Sequence, residues 1–310
     1  MIDRLEFFIA LARERHFGRA AEACGVSQPT LSAAVKQLEA GFGVRLVNRG
    51  SRFAGLTPEG ERVLEWARRI VGDARAMHED IDALKRGLAG EVRIAAIPTA
   101  LAMTAMLTTP YRAKHPEVRF SIVSRTSTEV LRLLDNLEVD AGLTYLDNEP
   151  LGRVNTVPLY REEYRLLTAR DGELGERDRV TWSEVGRIPL CLLTPDMQNR
   201  RIIDALLREA GGEPSPTLES NSMIVLFAHV RTGKWSSIMP AKIAETLGLT
   251  DSVRSIPIVE PAATHEVGLV VLHREPMTPL VTALVAEARE LAASLAAEGI
   301  APPSSRPKRR

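Results

Sequence analysis

The feature that constrains this 310-residue chain most is a long stretch beginning at "LTPEG". Thr57-Pro58-Glu59 is a helix start signal: a capping threonine, a proline at the first helical position and an acid in the first turn. Beyond it, Gly72 is the only weak point inside the helix before Gly87. Apolar residues fall at Val63, Ala67, Ile70, Ala74, Met77, Ile81, Leu84 and Leu88. Their alternating steps of four and three make a heptad repeat. At 1.5 Å per residue the helix is a rod of roughly 45 Å. A lone rod would leave that seam in water, so a partner helix is expected, most simply the same helix of a second copy. The alternative is a long surface helix packed on its own domain.

The rod divides the chain. Before it, residues 2–15 carry Leu5, Phe8, Ile9 and Ala12 at helical spacing. A short second helix is expected at about 18–24, followed by Gly25, which supplies a left-handed turn. A third helix starts within "SQPTLSAAVKQLE". Ser27 is a natural N-cap, Pro29 is tolerated in the first turn, and Leu31, Val35 and Leu38 form its buried stripe. Gly41 and Gly43 end it, and residues 44–57 look like a small basic hairpin. Helix, glycine turn and helix make a helix-turn-helix unit, whose second helix enters the DNA major groove N-terminus first. That use explains the small polar tip. Ser27, Gln28, Pro29, Thr30 and Ser32 are short enough not to hold the helix out, and Gln28 can pair bidentately with adenine. Arg19, Lys36, Arg45, Asn48 and Arg49 complete the candidate DNA-facing set, the last three as a wing on the phosphate backbone. The chain has no net charge, but residues 1–58 hold eight basic residues, Arg52 among them, against five acids, a local net of +3.

After Gly90 strands and helices alternate, which predicts an α/β domain with a largely parallel sheet. Ligands in such folds bind where helix N-termini converge beyond strand ends. The candidates are Thr99 and Ala100; Thr126, Ser127 and Thr128; Met197, Gln198 and Asn199; and Asn221. Free N–H groups at those helix ends suit a small organic anion. Arg200 and Arg201 are candidate counter-charges. Cys24 and Cys191 are the only cysteines and lie far apart, so core positions are expected for both rather than a disulfide or metal site. The six histidines lack ligand spacing, so neither a metal nor another cofactor is expected. No nucleotide-binding or hydrolase motif is present, and no catalytic residue is assigned. No apolar run is long enough to span a bilayer, and the charged N-terminus is unlike a signal peptide. Both point to the cytoplasm. "APPSSRPKRR", residues 301–310, reads as a disordered basic tail.

Together, "FGRAAEACGVSQPTLSAAVKQLEAGFGVRLVNR…LTPEG", "STEVLRLLDNLEVDAGL", "ESNSMIVLFAHVRTGKWSSIMP" and "VGLVVLHREPMTP" resemble the LysR-type transcriptional regulators in the order of their motifs. Many members have Phe where Leu46 stands, and "GIALLP" where this chain has "SSIMP". The resemblance implies an α+β multidomain protein. Residues 1–58 would be a winged helix-turn-helix, 59–90 a dimerising linker helix, and 91–300 a two-lobed, periplasmic-binding-protein-like effector domain. Lobe one would hold 91–160 and 267–300, and lobe two 161–266. It also implies a homodimer or homotetramer on double-stranded DNA, a small effector in the cleft, and RNA polymerase as a further partner. The competing readings are an enzyme, or a small-molecule-binding protein built on the C-terminal domain.

Overall fold

The computed structural model describes residues 1–49, 53–248 and 251–297. Arg52 and the tail at 301–310 lie outside the described residues. The chain divides into two units. The first comprises residues 1–89 with the short segments 133–138 and 274–282, and the second comprises the remainder.

The first unit opens with α1 (Ile2–Glu14), α2 (Phe17–Ala23) and α3 (Gln28–Phe42). Leu5, Phe8 and Leu11 of α1, Ala20 and Ala21 of α2, and Leu31 and Val35 of α3 are all buried. Each helix ends where the sequence allows a cap. Arg15 turns left-handed after α1, and the imidazole of His16 accepts from Arg19 N at the start of α2. Gly25 takes φ +65°, and the Ser27 hydroxyl caps α3 by accepting from Thr30 N. The wing is the hairpin of β1 (Val47–Arg49) and β2 (Phe53–Leu56). The buried Glu39 of α3 accepts from Leu46 N and Val47 N, which ties the wing to α3.

The rod is α4 (Pro58–Arg86). Thr57 caps it through Gly60 N at 2.9 Å and donates to Arg45 O at 2.7 Å, joining the helix start to the wing. Gly60 lets the two backbones touch: a Cβ there would sit 2.0 Å from Leu46 O. The helix has two apolar faces. Gly60, Leu64, Ala67, Val71 and Ala76 are buried, and Ile70, Met77, Ile81 and Leu84 are 41–84% exposed, with Trp66 beside them. The expected seam is therefore split. Ala67 turns fully inward and Val63 and Ala74 are half-buried, whereas Ile70, Met77, Ile81 and Leu84 face out. Leu64 and Val71 carry the inward face. The heptad count passed over them because the buried and the exposed stripe have nearly the same period.

Also in this unit, Arg68 donates to Asn136 Oδ1 at 2.6 Å and Arg75 pairs with Glu6. The Arg274 guanidinium lies across Gly72, where a Cβ would stand 1.7 Å from it. The weak point in the rod is thus the place where another side chain passes.

The second unit contains β3 (Gly90–Ala96), a 3-10 turn (Pro98–Met103), α5 (Thr104–Lys114), β4 (Val118–Ser124), α6 (Ser127–Asp135) and β5 (Ala141–Tyr145). The long β6 (Val154–Ala169) follows, then β7 (Val180–Thr181), α7 (Trp182–Val185), β8 (Cys191–Leu193), α8 (Gln198–Glu209) and β9 (Leu218–Ser220). The chain continues through α9 (Met223–Val230), β10 (Ser237–Pro240), α10 (Ala241–Thr246), β11 (Val253–Val259), β12 (Thr264–Leu272) and α11 (Pro279–Ala297). Strand order is β4-β3-β5-β12-β6-β11-β7, with β10 also on β6.

The sheet is mixed rather than largely parallel. β3, β4 and β5 are parallel, but β12 runs antiparallel to both β5 and β6, and β10 and β11 run antiparallel to β6. β6 serves both lobes: residues 154–163 pair with β12, and residues 164–169 pair with β10 and β11. β6 carries Pro158 in its interior. The proline is tolerated at a bulge, where the register with β12 shifts between Val267 and Gly268. Strand–helix alternation reveals neighbours made by crossover helices, but not long strands that pass between lobes. No helix among the described residues is long and apolar enough to cross a membrane.

Gly60→Ala tests the wing–rod junction. Helix propensity alone predicts stabilisation by about 1 kcal/mol. The 2.0 Å clash with Leu46 O reverses that sign, so a loss of about 1–3 kcal/mol is expected. Thermal denaturation of the variant beside the parent checks it.

Candidate functional site

The first candidate surface is the tip of α3. Leu31, Ala34, Val35 and Leu38 face inward. Ser27, Gln28, Pro29, Thr30 and Lys36 are exposed, and Ser32 is half-buried. The Ser27 and Thr30 hydroxyls bond to each other at 2.8 Å, which leaves Gln28 as the longest free polar arm of the tip. Arg19 is exposed, and its guanidinium donates to Glu14 O at 2.6 Å. Arg45 and Asn48 are exposed on the wing, and Asn48 is committed in part to the hairpin through Leu56 O. Arg49 closes β1.

The second candidate surface lies within the second unit, where lobe-two residues of α8 meet lobe one. Thr99, Ala100, Thr126, Ser127, Met197, Gln198 and Asn199 are buried, but Thr128 and Asn221 are exposed. Gln198 donates to Asp147 O, and Asn199 donates to the Tyr145 hydroxyl at 3.0 Å. Arg201 binds Glu149 at 2.5 Å and reaches Ser127, whose hydroxyl also donates to Glu149. Arg200 is instead held inside lobe two by Asp204, Leu193 O and Glu219.

At the start of α6, Glu129 accepts from Thr126 N, and Glu149 accepts from the Ser127 hydroxyl. Arg201, the cation at the lobe contact, is also taken by Glu149.

The centre of the contact was missed from sequence. It is Glu162 on β6, 1% exposed, directly opposite His265 of β12. The Tyr145 hydroxyl donates to Glu162 Oε1, Asn199 approaches it at 3.4 Å, and Oε2 has no hydrogen-bond partner. The Thr99 and Tyr164 hydroxyls approach this group without completing a hydrogen bond. Burial pushes the carboxyl up to about 8, against the pull of Tyr145, Asn199 and Thr99 and with help from Asp147. The tyrosines 145, 160 and 164 are all held well above their ordinary range, first by burial. The signal was present in "YREEYRLL": Tyr160, Glu162 and Tyr164 share one face of a strand, and an acid between two buried rings there is out of place.

Cys191 is fully buried in the lobe-two core, where burial raises its thiol to about 11. Cys24 is half-buried at the end of α2, and both cysteines are free.

An exposed polar recognition helix with a wing, a long connecting helix and a two-lobed mixed-sheet domain define a ligand-responsive DNA-binding regulator. Residues 2–61 match the model for bacterial regulatory helix-turn-helix proteins of the lysR family, and residues 85–293 match the LysR substrate binding domain. The chain belongs to the LysR-type transcriptional regulators; it is a transcription factor and not an enzyme. It is 30% identical to the HTH-type transcriptional regulator YfeR of Shigella flexneri, over 77% of this chain and 78% of that one. It is 27% identical to the DNA-binding transcriptional dual regulator OxyR of Escherichia coli K12, over 87% of this chain and 88% of the relative. A full-length OxyR variant from Pseudomonas aeruginosa superposes with a TM-score of 0.72 at 25% identity, covering 93% of this chain and 97% of that one.

Glu162→Gln tests the buried carboxyl without ligand. Its folded value near 8 lies above the unfolded value of 4.5, so the folded state holds a proton that the unfolded state has lost. Stability from this group is present below pH 4.5 and lost as pH rises towards 8. The melting temperature of the Gln variant relative to the parent should therefore climb between about pH 5 and 8, by several degrees, and then level off. Parallel melting profiles across that range would contradict the assignment.

Proposed function

We propose that α3 reads operator DNA with Gln28 and Ser32 while Ser27 and Thr30 hold the tip in shape. Arg19, Lys36, Arg45, Asn48 and Arg49 would meet the phosphate backbone. Two copies would pair through the exposed face of α4, and a tetramer would follow if such pairs associate further. The interlobe site of the second unit would bind a small organic effector. Closure or opening of the lobes then changes the spacing of two α3 tips on DNA, a change that RNA polymerase at the promoter would feel. A DNA target would have the protein work in the cytoplasm. Effector control requires different affinity in the two lobe arrangements.

The observation that carries this reading is the tip itself. Four consecutive residues at the start of a 15-residue helix, Ser27 to Thr30, are small or polar and exposed, while the other face is fully packed. Core packing gives no reason for that composition, and major-groove reading does.

Peroxide sensing, suggested by the OxyR relatives, is disfavoured by the cysteines. A thiol switch needs a reactive thiolate and a second thiol within reach. The second unit has Cys191 alone, buried and with its thiol held protonated.

The paired substitution Gln28→Ala/Ser32→Ala tests the recognition assignment. Against a site selected from randomised DNA, affinity measured by fluorescence anisotropy should fall about 10- to 100-fold, with binding to scrambled DNA almost unchanged. The melting temperature should hold, because neither side chain is fully packed. Equal operator affinity in the variant would contradict it.

A further inference from the structure

Glu162 is a buried carboxyl with one oxygen left unsatisfied. It lies where both crossover strands pass between lobes, and Oε1 is served by Tyr145 while Oε2 has no partner. Leaving such an atom dry is costly unless something fills the position in another state of the protein. The surroundings limit what that can be. Tyr145, Tyr164 and His265 form an aromatic group, with ring centroids 6.2 Å apart for Tyr145–His265 and 6.1 Å for Tyr164–His265. Asp147 binds His265 beside them, and Glu149 stands at the lobe contact. Arg201 is engaged by Glu149, so an incoming carboxylate would meet acids and phenols there.

Resting on the effector reading above, we propose that the interlobe site takes an effector with a cationic nitrogen head group, a primary ammonium or a guanidinium, which donates to Oε2 of Glu162 and lies among the rings of Tyr145, Tyr164 and His265. A carboxylate partner with aromatic faces is the recognition chemistry of organic cations. Entry requires the α8 contacts Gln198–Asp147 and Arg201–Glu149 to part, so ligand binding is coupled to lobe arrangement. The proton balance follows from burial. With the site empty near pH 7 the carboxyl is mostly protonated. When the cation arrives, the O–H bond breaks, the proton leaves to solvent, and the N–H donates to the carboxylate. Affinity for the cation therefore rises about tenfold per pH unit up to the carboxyl's own titration near 8, and then flattens. The titratable and charged groups facing Glu162 are Tyr145 and Asp147 at the end of β5, Tyr160 and Tyr164 on β6, and His265 on β12. The tyrosines stay neutral throughout that range.

The test uses the full-length protein and four probes that share one alkyl chain: n-butylammonium, n-butylguanidinium, butanoate and butan-1-ol. Saturation-transfer NMR at about 10 mM suits fragments of this size. At least one cation should give a signal that Glu162→Gln abolishes, and the parent's affinity for it should climb between pH 6 and 8 as above. A signal from butanoate that Thr99→Val abolishes, with none from the cations, overturns the cationic head group and leaves the effector site standing. Signals unaffected by both substitutions overturn the head group and the site together. Silence from both cations, or butan-1-ol binding as well as they do, overturns the proposal.

Discussion

One helix must satisfy two apolar faces, and the architecture follows from that. The inward face of α4, through Leu64, Ala67 and Val71, packs within the first unit. The outward face keeps Ile70, Met77, Ile81 and Leu84 in water, with Leu84 84% exposed. Large apolar side chains aligned along a helix are not tolerated singly as a stripe in a monomer. The chain as folded is complete at one face and incomplete at the other. On the pairing proposed above, a second copy supplies the missing side and fixes the distance between two recognition tips.

The junctions of the rod show how the sequence enforces this. Thr57 caps the helix and holds Arg45 O, and Gly60 permits backbone contact with Leu46. Glu39 spends its carboxylate on Leu46 N and Val47 N. Wing, recognition helix and rod are therefore tied to one another at the start of the rod. At the other end of the unit, Arg274 crosses the rod at Gly72, two residues after β12 ends at Leu272. The same strand holds His265 opposite Glu162.

Much of this was legible in the residues. The helix-turn-helix declared itself through Ser27, Pro29 and the 31-35-38 stripe, and the rod through Thr57-Pro58-Glu59 and its repeat. Thr99, Ser127, Gln198 and Asn199 were named as candidates because residues that start helices after strands are confined to few places. What escaped has a common cause: it depends on contacts between distant segments. The inward stripe of α4 was hidden by a second stripe with nearly the same period. The mixed sheet was hidden because β6 and β12 meet across 100 residues of chain. Glu162 drew no reading because the groups that mark it, Tyr145, Asn199 and His265, come from distant segments. The contacts of Glu129 and Glu149 at the start of α6 also join residues that the sequence does not place side by side.

The most direct measurement is the mass of the protein in solution when the outward face of the rod is charged. The paired substitution Ile70→Asp/Ile81→Asp places two carboxylates on side chains that are 41% and 48% exposed, so the fold should survive, as circular dichroism would show. Sedimentation equilibrium at micromolar concentration should then give a monomer of 34.0 kDa where the parent gives at least twice that mass. A folded variant that stays as large as the parent would show that the subunits are held together elsewhere, and the rod would lose its place at the centre of the account.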